Sequence, residues 1–137
     1  MLRRVVLLGG MLLAAVIVLS GVALAKDIKG TFKQDHLQGT PQKDRIYGLG
    51  AADVILGKAG NDDCYGGGGA DKIRCGPGND RMVDGDFGED NLFGGLGDDT
   101  ISAVDGQKDL VDCGQGDADK AYVDKIDSVE NCELVFD

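Results

Sequence analysis

Aspartates recur through this chain at a near-constant interval, and their carboxylates are the side chains with most chemistry to offer. They stand nine residues apart at Asp35, Asp44, Asp53, Asp62, Asp71 and Asp80, then at Asp90, Asp99, Asp109 and Asp119 with steps of nine or ten. Carboxylates either work in pairs as acid and base or gather with other oxygens around a hard cation. So many regularly spaced carboxylates are better explained as ligands and surface charge than as a catalytic dyad. The sole histidine, His36, lies between Asp35 and Leu37, where the repeat turns side chains outward. It leaves no nucleophile and base pair, so no catalytic residue is assigned and an enzyme is not expected.

The residues around each aspartate say how it is positioned. Two places later comes a mostly apolar side chain, in order Leu37, Ile46, Ile55, Cys64, Ile73, Met82, Leu92, Ile101, Val111 and Ala121. Before it come glycines at fixed offsets, as in Gly57-Lys58-Ala59-Gly60-Asn61-Asp62, Gly66-Gly67-Gly68-Gly69-Ala70-Asp71 and Gly94-Gly95-Leu96-Gly97-Asp98-Asp99. Six turn-forming residues followed by three extended ones make half a coil, so eighteen close one turn of a flattened solenoid with two parallel sheets. Ile46, Cys64, Met82 and Ile101 are expected to line one inner face, and Ile55, Ile73, Leu92 and Val111 the other. One inward aliphatic per nine residues cannot repay the entropy of ordering all nine. Something outside the chain must contribute.

Length and charge narrow the choice. Of 137 residues, the first twenty-five have the pattern of a cleaved export signal, with Arg3 and Arg4, an apolar run from Val5 to Leu19 and the small-residue site Ala23-Leu24-Ala25. The mature chain then starts at Lys26, with no stable membrane insertion, and carries 12 Lys and Arg against 24 Asp and Glu. Nucleic acid is excluded as a partner by the sign of that charge. An acidic chain of this kind either repels itself into disorder or gathers cations.

The pattern resembles the RTX, or haemolysin-type, calcium-binding nonapeptide repeat G-G-x-G-x-D-x-U-x, in which U is a large apolar residue. The resemblance covers residues 39–112 well and the flanks weakly. It implies an all-β parallel β-roll, a two-sheet β-solenoid, whose glycine and aspartate loops hold calcium. Calcium suits such loops because it takes six to eight oxygen ligands in flexible geometry, carbonyls included. With like coils stacked about 4.8 Å apart, an ion can draw one aspartate from each of two loops: Asp44 with Asp62, Asp62 with Asp80 and Asp80 with Asp99 on one edge, Asp53 with Asp71, Asp71 with Asp90 and Asp90 with Asp109 on the other. The glycines expected to shape the cradles are Gly57, Gly60, Gly66, Gly68, Gly69, Gly76, Gly78, Gly85, Gly88, Gly94 and Gly97. Gln42, Ala51 and Gln107 replace the glycine before an aspartate, and Asp84 and Ala103 read as single-residue insertions. About three to six calcium ions are therefore expected, with the Asp44, Asp53 and Asp109 loops weak or empty.

The expected organisation is a signal peptide over 1–25, a degenerate flank over 26–38, the calcium-binding β-roll over 39–112 and a C-terminal cap over 113–137. A Cys113–Cys132 bridge would close a loop of about twenty residues and tie the tail over the open end of the solenoid. Similar endings, Asp-Cys-Gly followed by a later Cys-Glu, occur in the secreted bacterial proteins this chain resembles, and they imply that pairing. Cys64 holds an inward position and Cys75 stands where the loop prefers glycine; they either pair or stay free.

Competing motifs fail. Neither Asp84-Gly85-Asp86-Phe87-Gly88 nor Asp117-Ala118-Asp119-Lys120-Ala121 has the EF-hand glycine, Gly48-Leu49-Gly50 lacks the third dinucleotide-loop glycine, and Gly57-Lys58 lacks the rest of a phosphate loop. The family's toxins and proteases add a catalytic or pore-forming domain, for which this chain is expected to have no room, and a C-terminal export signal, in place of which it has the N-terminal pattern. The functional expectation is a secreted, extracellular calcium-binding protein whose folding follows external calcium. The alternative is a calcium-stabilised, wall-associated adhesion module that binds a glycan or wall polymer or associates with itself, through outward stripes of Arg45, Asp63 and Arg81 and of Tyr47, Tyr65 and Val83.

Overall fold

The computed structural model describes residues 24–137, and every regular element among them is a strand. The expected signal segment, up to residue 23, lies outside the described residues. In chain order the strands are β1 (Asp27–Lys29), β2 (His36–Gln38), β3 (Arg45–Gly50), β4 (Val54–Leu56), β5 (Asp63–Gly68), β6 (Lys72–Pro77), β7 (Arg81–Phe87), β8 (Asn91–Leu96), β9 (Thr100–Ala103), β10 (Leu110–Gln115), β11 (Lys120–Val123), β12 (Ser128–Glu130) and β13 (Leu134–Phe136). Odd strands form one sheet of seven, in the order β1-β3-β5-β7-β9-β11-β13, and even strands a sheet of six. All pairings are parallel, and each strand lies beside the strand two further along the chain. This is the β-roll that the nine-residue period predicts.

The inward face follows the apolar position after each aspartate. Ile46 aligns with Cys64, Cys64 with Met82 and Met82 with Ile101, while Ile55 aligns with Ile73 and Ile73 with Leu92. All of these are fully buried. In the middle of the roll the strands outrun the expected three residues, because a second residue per half-coil also turns inward. That second position is held by Gly57, Gly66, Cys75, Gly94, Ala103, Cys113 and Val123, all buried. Small side chains there let the sheets close over a core only one large side chain deep.

Two irregularities fall elsewhere than expected. Ala103 is no insertion: it pairs with Val123 and is fully buried, so the extra residue belongs to the turn that follows, before Asp109. In β7 the register slips between Gly85, opposite Gly67, and Phe87, opposite Gly68. The bulge therefore lies at Asp86 rather than Asp84, and the glycine pairing before it is kept.

Near the end of the chain, Cys113 and Cys132 form a disulfide with Cα atoms 5.2 Å apart. Cys64 and Cys75 are paired across the core from opposite sheets. Cys75 is thus a core residue, not a loop one.

Candidate metal centre

Each repeat aspartate ends a turn and starts a strand, and its backbone is tied to the next coil on both sides. The carbonyl of Asp44 accepts the amide of Asp63 at 2.9 Å, and that of Asp62 accepts the amide of Arg81 at 2.8 Å. The side chain makes the opposite link. Asp62 Oδ1 accepts the Asp44 amide at 2.8 Å, Asp80 Oδ1 that of Asp62 at 2.7 Å, Asp99 Oδ1 that of Asp80 at 2.8 Å and Asp119 Oδ1 that of Asp99 at 2.6 Å. On the other edge Asp53, Asp71, Asp90 and Asp109 bond in the same way, each to the aspartate one coil earlier, or to Asp35 for the first. The structure brings together every aspartate pair named from the sequence, as links in two ladders.

Burial is what gives these ladders their chemistry. Asp53, Asp62, Asp71, Asp80, Asp90 and Asp99 are all nearly sealed from solvent, and in each one Oδ2 is buried without a hydrogen-bond partner. Such oxygens are costly unless a proton or a cation meets them. Burial pushes the Asp62 and Asp71 carboxyls up to about 6 and those of Asp80, Asp90 and Asp99 up to about 7, helped by the neighbouring aspartates and opposed by the amide donated from the previous coil. Asp53 is raised for the same reason.

Other oxygens face the same points. A methyl group on Gly57 would meet Asp62 Oδ2 at 2.5 Å and the Cys75 carbonyl oxygen at 2.6 Å. Gly48 faces Asp53 Oδ2 and the Gly66 carbonyl, and Gly94 faces Asp99 Oδ2 and the Cys113 carbonyl. A carboxylate oxygen without a donor and a backbone carbonyl oxygen thus both lie close to the same glycine Cα. Among the described residues no three His, Cys, Asp or Glu side chains gather at one point. A cation would therefore be held by one or two aspartates plus carbonyls, the donor set a calcium ion accepts. On that test the residues fit the ion.

The named glycines have two jobs. Gly60, Gly69, Gly78, Gly88 and Gly97 hold positive φ in the turns and Gly76 holds it within β6, whereas Gly57, Gly66 and Gly94 take the second inward position. Gly85 pairs with Gly67, and Gly68 is open, with nothing within 4 Å of an added Cβ.

One aspartate departs from the rest. Asp44 receives the Thr40 amide and hydroxyl on Oδ2 and the Lys26 amide on Oδ1, and although burial pushes its carboxyl up, these donors outweigh it and hold the group below the usual range. Thr31 treats Asp35 alike. Here a threonine after the first loop glycine supplies what the other loops lack. The sequence signal, Gly-Thr in place of Gly-Gly, is visible at Gly30-Thr31 and Gly39-Thr40 but leaves the nine-residue period unchanged.

Outside the ladders, His36 is exposed on β2. Asp63 pairs with Arg45 at 3.7 Å and Lys43 at 3.6 Å, and the Tyr47 and Tyr65 rings stack with centroids 4.8 Å apart.

No curated protein and no solved structure matches the chain. A family model does, that of the RTX calcium-binding nonapeptide repeat, in four copies over residues 30–64, 56–82, 65–101 and 84–107. A chain whose matched repeats span residues 30–107 and whose fold is a two-sheet parallel roll belongs to the RTX calcium-binding nonapeptide repeat family, which is structural and calcium-binding in character.

Proposed function

We propose that this is an exported protein whose coils close around several calcium ions, so that folding follows the calcium of the surrounding medium. The observation that carries this reading is the row of buried Oδ2 atoms without partners on Asp53, Asp62, Asp71, Asp80, Asp90 and Asp99. With Gly57, Gly60, Gly66, Gly69, Gly76, Gly78, Gly88, Gly94 and Gly97 shaping the turns, these aspartates form the ligand set, while Asp44 is served by Thr40. Calcium supplies the charge that lets adjacent carboxylates stay ionised side by side. The chain's own part is to fix the oxygens: amides from the previous coil hold each Oδ1, and glycine permits the close approach of carbonyls.

Extracellular calcium modules bind at roughly 0.1 to 1 mM, so on this reading the calcium of the external medium is the trigger. The disulfide and the export pattern at the N-terminus agree with that placement. Calcium titration by calorimetry should show saturable uptake of several ions, about three to six, with magnesium failing to substitute because it demands a tighter octahedral shell. No heat of binding up to 10 mM calcium would overturn the assignment.

A second reading, adhesion at the cell surface, draws on the outward ring stack of Tyr47 and Tyr65 and the exposed pair Tyr122 and Phe136, whose centroids are 4.9 Å apart. Calcium-dependent retention on the cell wall, lost in a Tyr47→Ser and Tyr65→Ser variant that still binds calcium, would favour it. Free protein in the medium would remove it.

A further inference from the structure

The ladder that runs through Asp99 does not stop where the matched repeats stop. Asp119 lies beyond residue 107, yet it is fully buried, its Oδ1 accepts the Asp99 amide at 2.6 Å and its Oδ2 has no hydrogen-bond partner. A methyl group on Gly116 would meet both Asp119 carboxylate oxygens at 2.7 Å and the Gly97 carbonyl oxygen at 2.5 Å. An open groove lined by Gly97, Asp98, Gly114, Gln115, Gly116 and Asp117 shares Gly97 and Gly116 with it.

What closes the ladder differs from the repeats. Leu134 pairs with Lys120, so the residue aligned with Asp119 in the next coil is Glu133 rather than an aspartate, and the Asp119 amide donates to Glu133 Oε2 at 2.9 Å. Glu133 is adjacent to Cys132, which is bonded to Cys113, and Cys113 lies in β10 just ahead of the turn that carries Gly116. The disulfide thus fixes both the turn and the carboxylate that stands in for the missing aspartate.

We propose that Asp119 and the Gly97 carbonyl form a further calcium site beyond the matched repeats, with Glu133 as a positioning residue, and that the Cys113–Cys132 disulfide sets its affinity. The bridge holds this site together; a chain without it keeps no tether on Glu133, so the Asp119 amide loses its acceptor and the turn loosens. The inference rests on the calcium reading above.

Calorimetric titration of the full chain with calcium alone tests it. Asp119→Asn should lower the stoichiometry by one ion. A Cys113→Ser and Cys132→Ser variant, or Glu133→Ala, should weaken one site about tenfold, and Glu133→Gln, which keeps the acceptor, should restore it. Circular dichroism in saturating calcium checks that each variant is folded; should Asp119→Asn not fold, the Glu133 pair carries the test. Wild-type stoichiometry and affinities in both Asp119→Asn and Glu133→Ala would overturn the terminal site while leaving the repeat sites standing. Failure of the wild type to bind calcium would overturn both.

Discussion

Asp62 Oδ1 accepts the amide of Asp44 at 2.8 Å, while Asp62 Oδ2, on the same carboxylate, faces the Cys75 carbonyl oxygen across Gly57 with no donor between them. One oxygen builds the fold and the other opposes it. Replacing a carboxylate in this position by its amide separates the two roles. Asp80→Asn keeps an acceptor for the Asp62 amide and removes the buried charge, so the calcium-free chain should gain about 1 to 2 kcal/mol while the calcium-bound chain loses a ligand. The β content in chelator, read by circular dichroism, should rise while the melting temperature in 10 mM calcium falls; a fall in both would show that the charge is not what calcium answers.

The raised carboxyls give the pH dependence a definite sign. Asp80, Asp90 and Asp99 titrate at about 7 in the calcium-free fold against an ordinary value of 3.8. Between those values the folded chain holds protons that the unfolded chain has lost. Calcium-free stability is therefore greatest below about pH 4 and falls as pH climbs towards 7. Calcium must displace those protons, so its affinity should rise over the same interval and level off above it. Melts at pH 5 and pH 8 check this: the chelated protein should be more ordered at pH 5, and the calcium-loaded protein more stable at pH 8.

Glycine substitutions should divide by position. Gly78 has φ of 148° and a Cβ there would run into the Gly60 carbonyl, so Gly78→Ala should cost more than about 2 kcal/mol. Gly68 has open space around it, and Gly68→Ala should stay within about 0.5 kcal/mol. Lys58 takes φ of 86° where most coils have glycine, so Lys58→Gly should stabilise by about 1 kcal/mol. Calcium-loaded denaturant curves would rank the three, and equal effects at Gly78 and Gly68 would contradict the packing described.

Removing the Cys113–Cys132 bridge as a serine pair should cost about 3 kcal/mol, since it closes a loop of nineteen residues. The loss should appear in melts of the calcium-loaded protein, whatever its effect on the terminal site.

The sequence made the roll legible because a single period carried it: the aspartate fixes the ladder and the apolar residue two places on fixes the core. The second inward position is hidden in the sequence, because glycine, alanine and cysteine fill most of it and give a weak apolar signal; Cys75 and Ala103 therefore read as a loop residue and an insertion. Thr40 was missed because its effect is a local hydrogen bond to Asp44 that leaves the period intact. Glu133 was missed for the opposite reason. It reaches the Asp119 amide from fourteen residues away, through a tail whose phase has drifted.

The central claim is that the partnerless oxygens of Asp53, Asp62, Asp71, Asp80, Asp90 and Asp99 make the roll depend on calcium. Far-ultraviolet circular dichroism at pH 7.5, in excess chelator and then in millimolar calcium, tests it most directly. The account predicts a largely disordered spectrum that becomes a β spectrum as calcium is added. An equally ordered β spectrum in chelator would contradict it.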